Sequence, residues 1–113
     1  MPPKILIVDD ERLILSAIER ALAKVGYEIF AASNLKEVGT LLSKGPFDLL
    51  LTDVYLEDAV ADDIIAAVRT CSPRLKVLHM SGSGSRVAPN FVEKPFKIDE
   101  LRERVRSILD EPD

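Results

Sequence analysis

The sequence predicts an α/β domain built on a parallel sheet, and three observations carry that expectation. Short continuous apolar runs recur along the chain, at Ile5-Leu6-Ile7-Val8, Leu49-Leu50-Leu51-Thr52 and Val77-Leu78-His79-Met80, as expected of strands buried on both faces. Between the runs the apolar residues switch to helical spacing. The connections are short and punctuated by glycine or proline, which favours right-handed crossovers with helices on both sides of one sheet. At 113 residues the chain is near the modal domain size, so one domain with a core from about 4 to 110 is expected and a second, output-type domain has no room.

Each element has its own justification. Residues 4–8 read as the first strand. Over residues 11–25, Ile14, Ala17, Ile18, Ala21, Leu22 and Val25 recur at helical spacing, and Gly26 is a ready C-terminal stop. Tyr27 to Ala32 reads as a second strand. Asn34, with Glu37 three residues on, makes a capping-box-like start for a helix carrying Leu35, Val38, Leu41 and Leu42, which Gly45-Pro46 ends. Phe47 to Thr52 is the third strand; Ile64, Ile65, Ala67 and Val68 lie on the next helix, which Pro73 must terminate. Leu75 to Met80 and Phe91 to Glu93 complete five strands. A last helix carries Ile98, Leu101, Val105, Ile108 and Leu109, with Asp99 and Glu100 suited to its first turn. The architecture is flavodoxin-like, with strand order 2-1-3-4-5 and a ligand crevice between strands 1 and 3.

Composition excludes several classes. No apolar run approaches a membrane span, and Met1-Pro2-Pro3-Lys4 leads straight into a strand without a leader pattern, so a cytoplasmic location is expected. A net charge of −4 argues against a nucleic-acid partner, and Arg102, Glu103, Arg104 and Arg106 read as a solvated mixed-sign face. Cys71 cannot form an internal disulfide and reads as a structural thiol. His79, inside an apolar strand, reads as a packed side chain.

Chemistry concentrates at the strand ends. Asp9 and Asp10 follow the first run, Asp53 the third, Ser81 the fourth and Lys94-Pro95 the fifth, so in a parallel sheet they share the edge where open α/β folds bind ligands. Two ionised carboxylates about 5 Å apart repel by roughly 3 kcal/mol at an effective dielectric near 20, which a cation would relieve. An open, oxygen-only acidic cleft suits Mg²⁺ together with phosphate oxygens. Asp53 is then placed to attack a phosphoryl donor, with Lys94 pairing to the phosphoryl oxygens and Ser81 donating a hydrogen bond to them.

Val8-Asp9-Asp10-Glu11, Leu51-Thr52-Asp53, Met80-Ser81-Gly82 and Phe91-Val92-Glu93-Lys94-Pro95-Phe96 together resemble the receiver domain of two-component response regulators, the CheY-like superfamily, over nearly the whole chain. The resemblance implies Asp53 as phosphoacceptor and a Mg²⁺ site made by Asp9, Asp10, Asp53 and the backbone carbonyl of Tyr55. It implies Ser81, with Gly82, as the switch hydroxyl segment, Lys94 as the family's lysine with a cis bond to Pro95, and Phe91 as the aromatic switch residue. It implies a histidine kinase or histidine phosphotransfer protein as phosphoryl donor, a downstream protein partner, and a signalling phosphoacceptor rather than an enzyme. A phosphorylation-independent binding module on the same fold and a small Mg²⁺-dependent phosphohydrolase are the rival expectations.

Two departures from the pattern stand out. Gly82 to Asn90 is rich in Gly, Ser and Pro without helical period, so a loop is expected where the family has its fourth helix. Nine extended residues reach about 30 Å, enough to cross a strand of about 17–20 Å. Apolar surface left open there would suit a protein partner or a second copy of the chain. The other departure is Leu56-Glu57-Asp58-Ala59-Val60-Ala61, which lacks the usual proline and glycine after the phosphoacceptor, with the bulky Tyr55 placed to shield an acyl phosphate from water.

Overall fold

The computed structural model describes residues 1–82 and 90–112. The expected loop in place of a fourth-position helix, and the open surface it would leave, fall largely on residues 83–89 and lie outside the described residues.

Five parallel strands run β1 (Lys4–Val8), β2 (Glu28–Ala32), β3 (Leu49–Asp53), β4 (Lys76–Ser81) and β5 (Phe91–Glu93), in the order β2-β1-β3-β4-β5. The described helices are α1 (Arg12–Ala23), α2 (Leu35–Leu41), α3 (Ala61–Arg69) and α4 (Ile98–Asp110), with a 3-10 turn at Leu42–Lys44.

Side chains alternate across each strand, and the two faces feed separate cores. Ile5, Ile7, Leu49, Leu51, Leu78, Met80 and Val92 pack with Leu15, Ile18 and Leu22 of α1 and Leu101, Val105 and Ile108 of α4. Leu6, Val8, Ala32 and Leu50 face the other way, onto Val38 of α2 and Ile64 and Val68 of α3. This two-sided burial is why the strands read as unbroken apolar runs. Each fully buried Leu or Ile is worth about 1.5–3 kcal/mol, so the central strands are anchored from both sides.

The boundaries show which local signals won. The buried stripe of α1 is Leu15, Ile18, Ala21 and Leu22, rotated from the expected set, with Ala17 and Val25 exposed. Gly26 adopts φ 102°, a left-handed turn that glycine reaches without steric cost, three residues beyond the end of the helix. Asn34 caps α2 as expected, accepting the Glu37 N–H at 2.8 Å. The Glu37 carboxylate, however, accepts the Ser33 N–H at 2.7 Å and its hydroxyl at 2.9 Å, so the reciprocal half of the box falls one residue earlier. Helix α3 stops at Arg69, ahead of Pro73. Its last turn is tied off by Ser72, whose N–H bonds Val68 O at 3.0 Å and whose hydroxyl accepts the buried Phe47 N–H at 2.7 Å.

Candidate functional site

Alternation alone sends three of the chemical side chains to one side. Asp9 continues the Ile5, Ile7 series, Asp53 continues Leu49, Leu51, and Lys94 continues Val92, all on the face covered by α1 and α4. Because β1 and β3 are neighbours, Asp9 and Asp53 end adjacent strands at the crevice where the chain reverses its order of addition to the sheet.

Lys94 binds the acids together. Its ammonium donates to Asp9 Oδ2 at 2.7 Å and to Asp53 Oδ2 at 3.2 Å, and lies 3.5 Å from Glu11 Oε1. Asp9 is fully buried, while the side chains of Lys94 and Asp53 are 12% and 16% exposed. The remaining oxygens are used locally. Asp9 Oδ1 accepts the Glu11 N–H at 2.9 Å, and Asp53 Oδ1 accepts the Val54 N–H at 3.0 Å. Neither Asp9 nor Asp10 caps α1 through its side chain: Asp9 reaches only the N–H of Glu11, the residue that precedes the helix. The half-buried Asp10 carboxylate has no hydrogen-bond or ionic partner among the described residues, and its oxygen lies within 4.8 Å of those of Asp9 and Asp53.

The electrostatics follow from this geometry. Burial raises the Asp53 pKa above the usual carboxylate value; the Lys94 charge and hydrogen bond oppose that rise, and the neighbouring Asp9 adds to it. For Lys94, burial works downward, but its bonds to Asp9 and then Asp53 outweigh it and the pKa is raised. Lys94 therefore stays charged wherever the acids are ionised. Three oxygen donors at mutual distances within 4.8 Å, two of them half-buried at an open edge, fit a hard divalent cation that keeps part of its water shell.

The other expected residues take different places. Ser81, 3% exposed, ends β4; by the same alternation it lies on the opposite face from Met80, and its carbonyl accepts the Lys94 N–H at 2.8 Å. Gly82 follows it and is exposed. The Lys94–Pro95 peptide is cis. Tyr55 is 65% exposed; it forms an antiparallel bridge with Val60, and its side chain lines a hollow of about 270 Å³ with Val54, Asp62 and His79. Phe91 opens β5 opposite His79, roughly 10 Å along the strand from Lys94, and is half-buried. His79 is half-buried rather than enclosed, with Nδ1 3.4 Å from Asn90 O.

Sequence reasoning missed three participants. Glu11 reaches Lys94, and Thr52, fully buried, donates to Asp53 O at 3.0 Å. Asp58 crosses from the β3–α3 loop to accept the Leu35 N–H, 3.2 Å from each carboxylate oxygen. Glu11 and Thr52 adjoin the acidic positions in the sequence and were within sight; Asp58 had no sequence signal.

A doubly wound α/β domain with a carboxylate cluster and a lysine at its switch point belongs with the ligand-binding domains of that fold. The chain belongs to the response regulator receiver domain family, whose pattern matches residues 5–106. It is 32% identical over 117 aligned positions to the DNA-binding transcriptional regulator NtrC of Bradyrhizobium sp. (strain RP501 Parasponia), covering 96% of this chain and 24% of that protein. It is 34% identical to the response regulator protein PilR of Pseudomonas aeruginosa PAO1, covering 94% of this chain and 26% of that one. The chain thus spans about a quarter of the length of these relatives. Among solved structures, the CheY-like receiver domain protein of Methanospirillum hungatei JF-1 superposes with a TM-score of 0.85 at 26% identity, covering 97% of this chain and 95% of that one. Receiver domains work in two-component systems with histidine kinases or phosphotransfer proteins, and they generally bind Mg²⁺. Among the described residues no helix is long and apolar enough to cross a membrane.

Proposed function

We propose that this receiver takes a phosphoryl group onto Asp53 from a phosphohistidine of a histidine kinase or phosphotransfer protein, and acts as a cytoplasmic signalling switch rather than as an enzyme with a substrate of its own. The observation that carries the reading is Lys94 Nζ shared between Asp9 and Asp53 at 2.7 and 3.2 Å, with Asp10 alongside. Burial makes Asp53 more basic than a surface carboxylate and so a better nucleophile, while the Lys94 charge and hydrogen bond oppose that rise. In the transfer an Asp53 carboxylate oxygen forms the new P–O bond as the donor's P–N bond breaks, and the departing imidazole nitrogen takes a proton from water.

Asp9, Asp10, Asp53 and the Tyr55 carbonyl would hold Mg²⁺. When bound it neutralises charge on the carboxylates and on the phosphoryl oxygens. Lys94 is already within reach of Asp53 and would follow the new phosphoryl oxygens, and Ser81, whose side chain starts on the opposite face, would swing its hydroxyl round the end of β4 to donate to another. Those new bonds favour one arrangement of Ser81, Gly82 and Phe91 at the ends of β4 and β5, and so shift a two-state equilibrium read by a downstream protein. The net charge of −4 supports a protein as that partner rather than nucleic acid.

Acetyl phosphate with Mg²⁺, followed by intact mass, tests the reading. A gain of one phosphoryl group that is lost in Asp53→Ala is the expected result. No adduct in the wild type would instead favour a binding module, and continuous turnover of varied phosphate esters a hydrolase.

A further inference from the structure

The loop after Asp53 has an internal architecture that its sequence conceals. Leu56 N–H bonds Ala59 O at 2.9 Å and Ala61 N–H bonds Val54 O at 2.9 Å, flanking the Tyr55–Val60 bridge, so residues 54–61 form a miniature hairpin. Leu56 and Ala59 pack partly buried on the core beneath α2 and α3. Asp63 closes its base by accepting the Val60 N–H at 3.1 Å. Asp58, at the tip, is exposed and reaches 23 residues back in the chain to the first amide of α2.

The turn it reaches is itself tied to the other wall of the site. Ser33, 6% exposed, is held by Glu37 through both its N–H and its hydroxyl, and Arg12 Nη2 donates to Ser33 Oγ at 3.4 Å. Arg12 opens α1 directly behind Asp9, Asp10 and Glu11, and Asp9 N–H bonds Ala32 O at 3.2 Å. The β2–α2 turn is bonded to Arg12, the first residue of α1 after the acidic loop, on one side and to the hairpin carrying Tyr55 on the other, where Asp58 accepts the Leu35 N–H.

We infer that Asp58 is a positioning residue for the cation site: its carboxylate, locked onto the Leu35 N–H, holds the hairpin so that the Tyr55 main-chain carbonyl stays in register with Asp9, Asp10 and Asp53. This rests on the cation reading above. A hairpin that carries neither proline nor glycine has no intrinsic backbone constraint on its direction, and a bond to an element fixed by other contacts supplies one. The acceptor geometry, rather than the charge, is what the site requires.

The test is isothermal titration of Mg²⁺ into the wild type, Asp58→Ala and Asp58→Asn, with amide exchange of Leu35 and Leu56 followed by NMR in metal-free protein. Asp58→Ala should weaken Mg²⁺ binding by about three- to tenfold, the scale of one lost hydrogen bond, and expose the Leu35 amide to exchange. Asp58→Asn keeps an acceptor oxygen and should restore both. Unchanged affinity in Asp58→Ala overturns the inference, as does equal weakening in both variants, which would reveal a pure charge effect. Absence of Mg²⁺ binding in the wild type itself would overturn the cation reading and this inference with it, and is told apart by where it appears.

Discussion

Replacing Lys94 with methionine removes the charge and keeps much of the side-chain volume, so it isolates what the ammonium does. At an effective dielectric near 20, its distances of 2.7 and 3.2 Å give about 6 and 5 kcal/mol of attraction to Asp9 and Asp53, whereas two carboxylates up to 4.8 Å apart repel by about 3.5 kcal/mol or more. Attraction wins, so Lys94 more than offsets the repulsion between the two carboxylates, although desolvation takes back much of the gain. Losing one partner of a buried ion group costs about 3–5 kcal/mol; with the pocket edge open to water, about 3 kcal/mol is expected. For a domain of this size that lowers Tm by about 12 °C. The pH dependence has a definite sign. Asp53 is already raised by burial and would rise further without Lys94. A carboxyl raised in the fold is penalised at pH above its folded value and relieved as pH falls through it, so the variant's deficit should shrink from neutral toward mildly acid pH. Lys94, raised above 10.5, keeps the wild type's advantage through neutral pH and loses it only in strong alkali. Urea denaturation followed by circular dichroism, from mildly acid to neutral pH with and without Mg²⁺, measures all of this. Added Mg²⁺ should recover part of the deficit by replacing the lost positive charge. A loss under about 1 kcal/mol at neutral pH, or a deficit indifferent to both acid and Mg²⁺, would refute the reasoning.

Two further outcomes are expected. Tyr55→Asn should shorten the lifetime of the Asp53 acyl phosphate, read as the decay of phosphorylated mass after donor removal; an unchanged decay rate would dismiss Tyr55 as a water shield. Asn34→Ala deletes the 2.8 Å cap on Glu37 N–H and should cost about 1 kcal/mol, a Tm drop of about 4 °C, with a thermal midpoint equal to wild type as the contrary result.

The parts of this molecule that could be read in advance are those governed by patterns repeated over many residues. Unbroken apolar runs require two covered faces, two covered faces require crossover helices, and right-handed crossovers leave few strand orders to choose from. Once β1 and β3 are neighbours, period-two alternation carries Asp9 and Asp53 to the same side without any loop being known, and Lys94 follows from Val92. What escaped is decided by single hydrogen bonds of about 1 kcal/mol each, for which several nearby side chains compete. Of the two adjacent acids, Asp9 turns inward to Lys94 and the Glu11 N–H while Asp10 stays without a bond among the described residues, a choice made by the course of the chain after Val8. Glu37 was matched to Asn34 by spacing, yet bonds Ser33, because the Ser33 amide and hydroxyl reach the same carboxylate oxygen together. Asp58 stands 23 residues from its partner Leu35, a separation at which no local pattern operates. The acidic cluster is therefore set by the sheet, whereas the approach to it is set by loop bonds. It follows that substitutions in the strands should change whether this receiver folds, and substitutions at Ser33, Glu37 and Asp58 should change how well the folded cluster holds a cation.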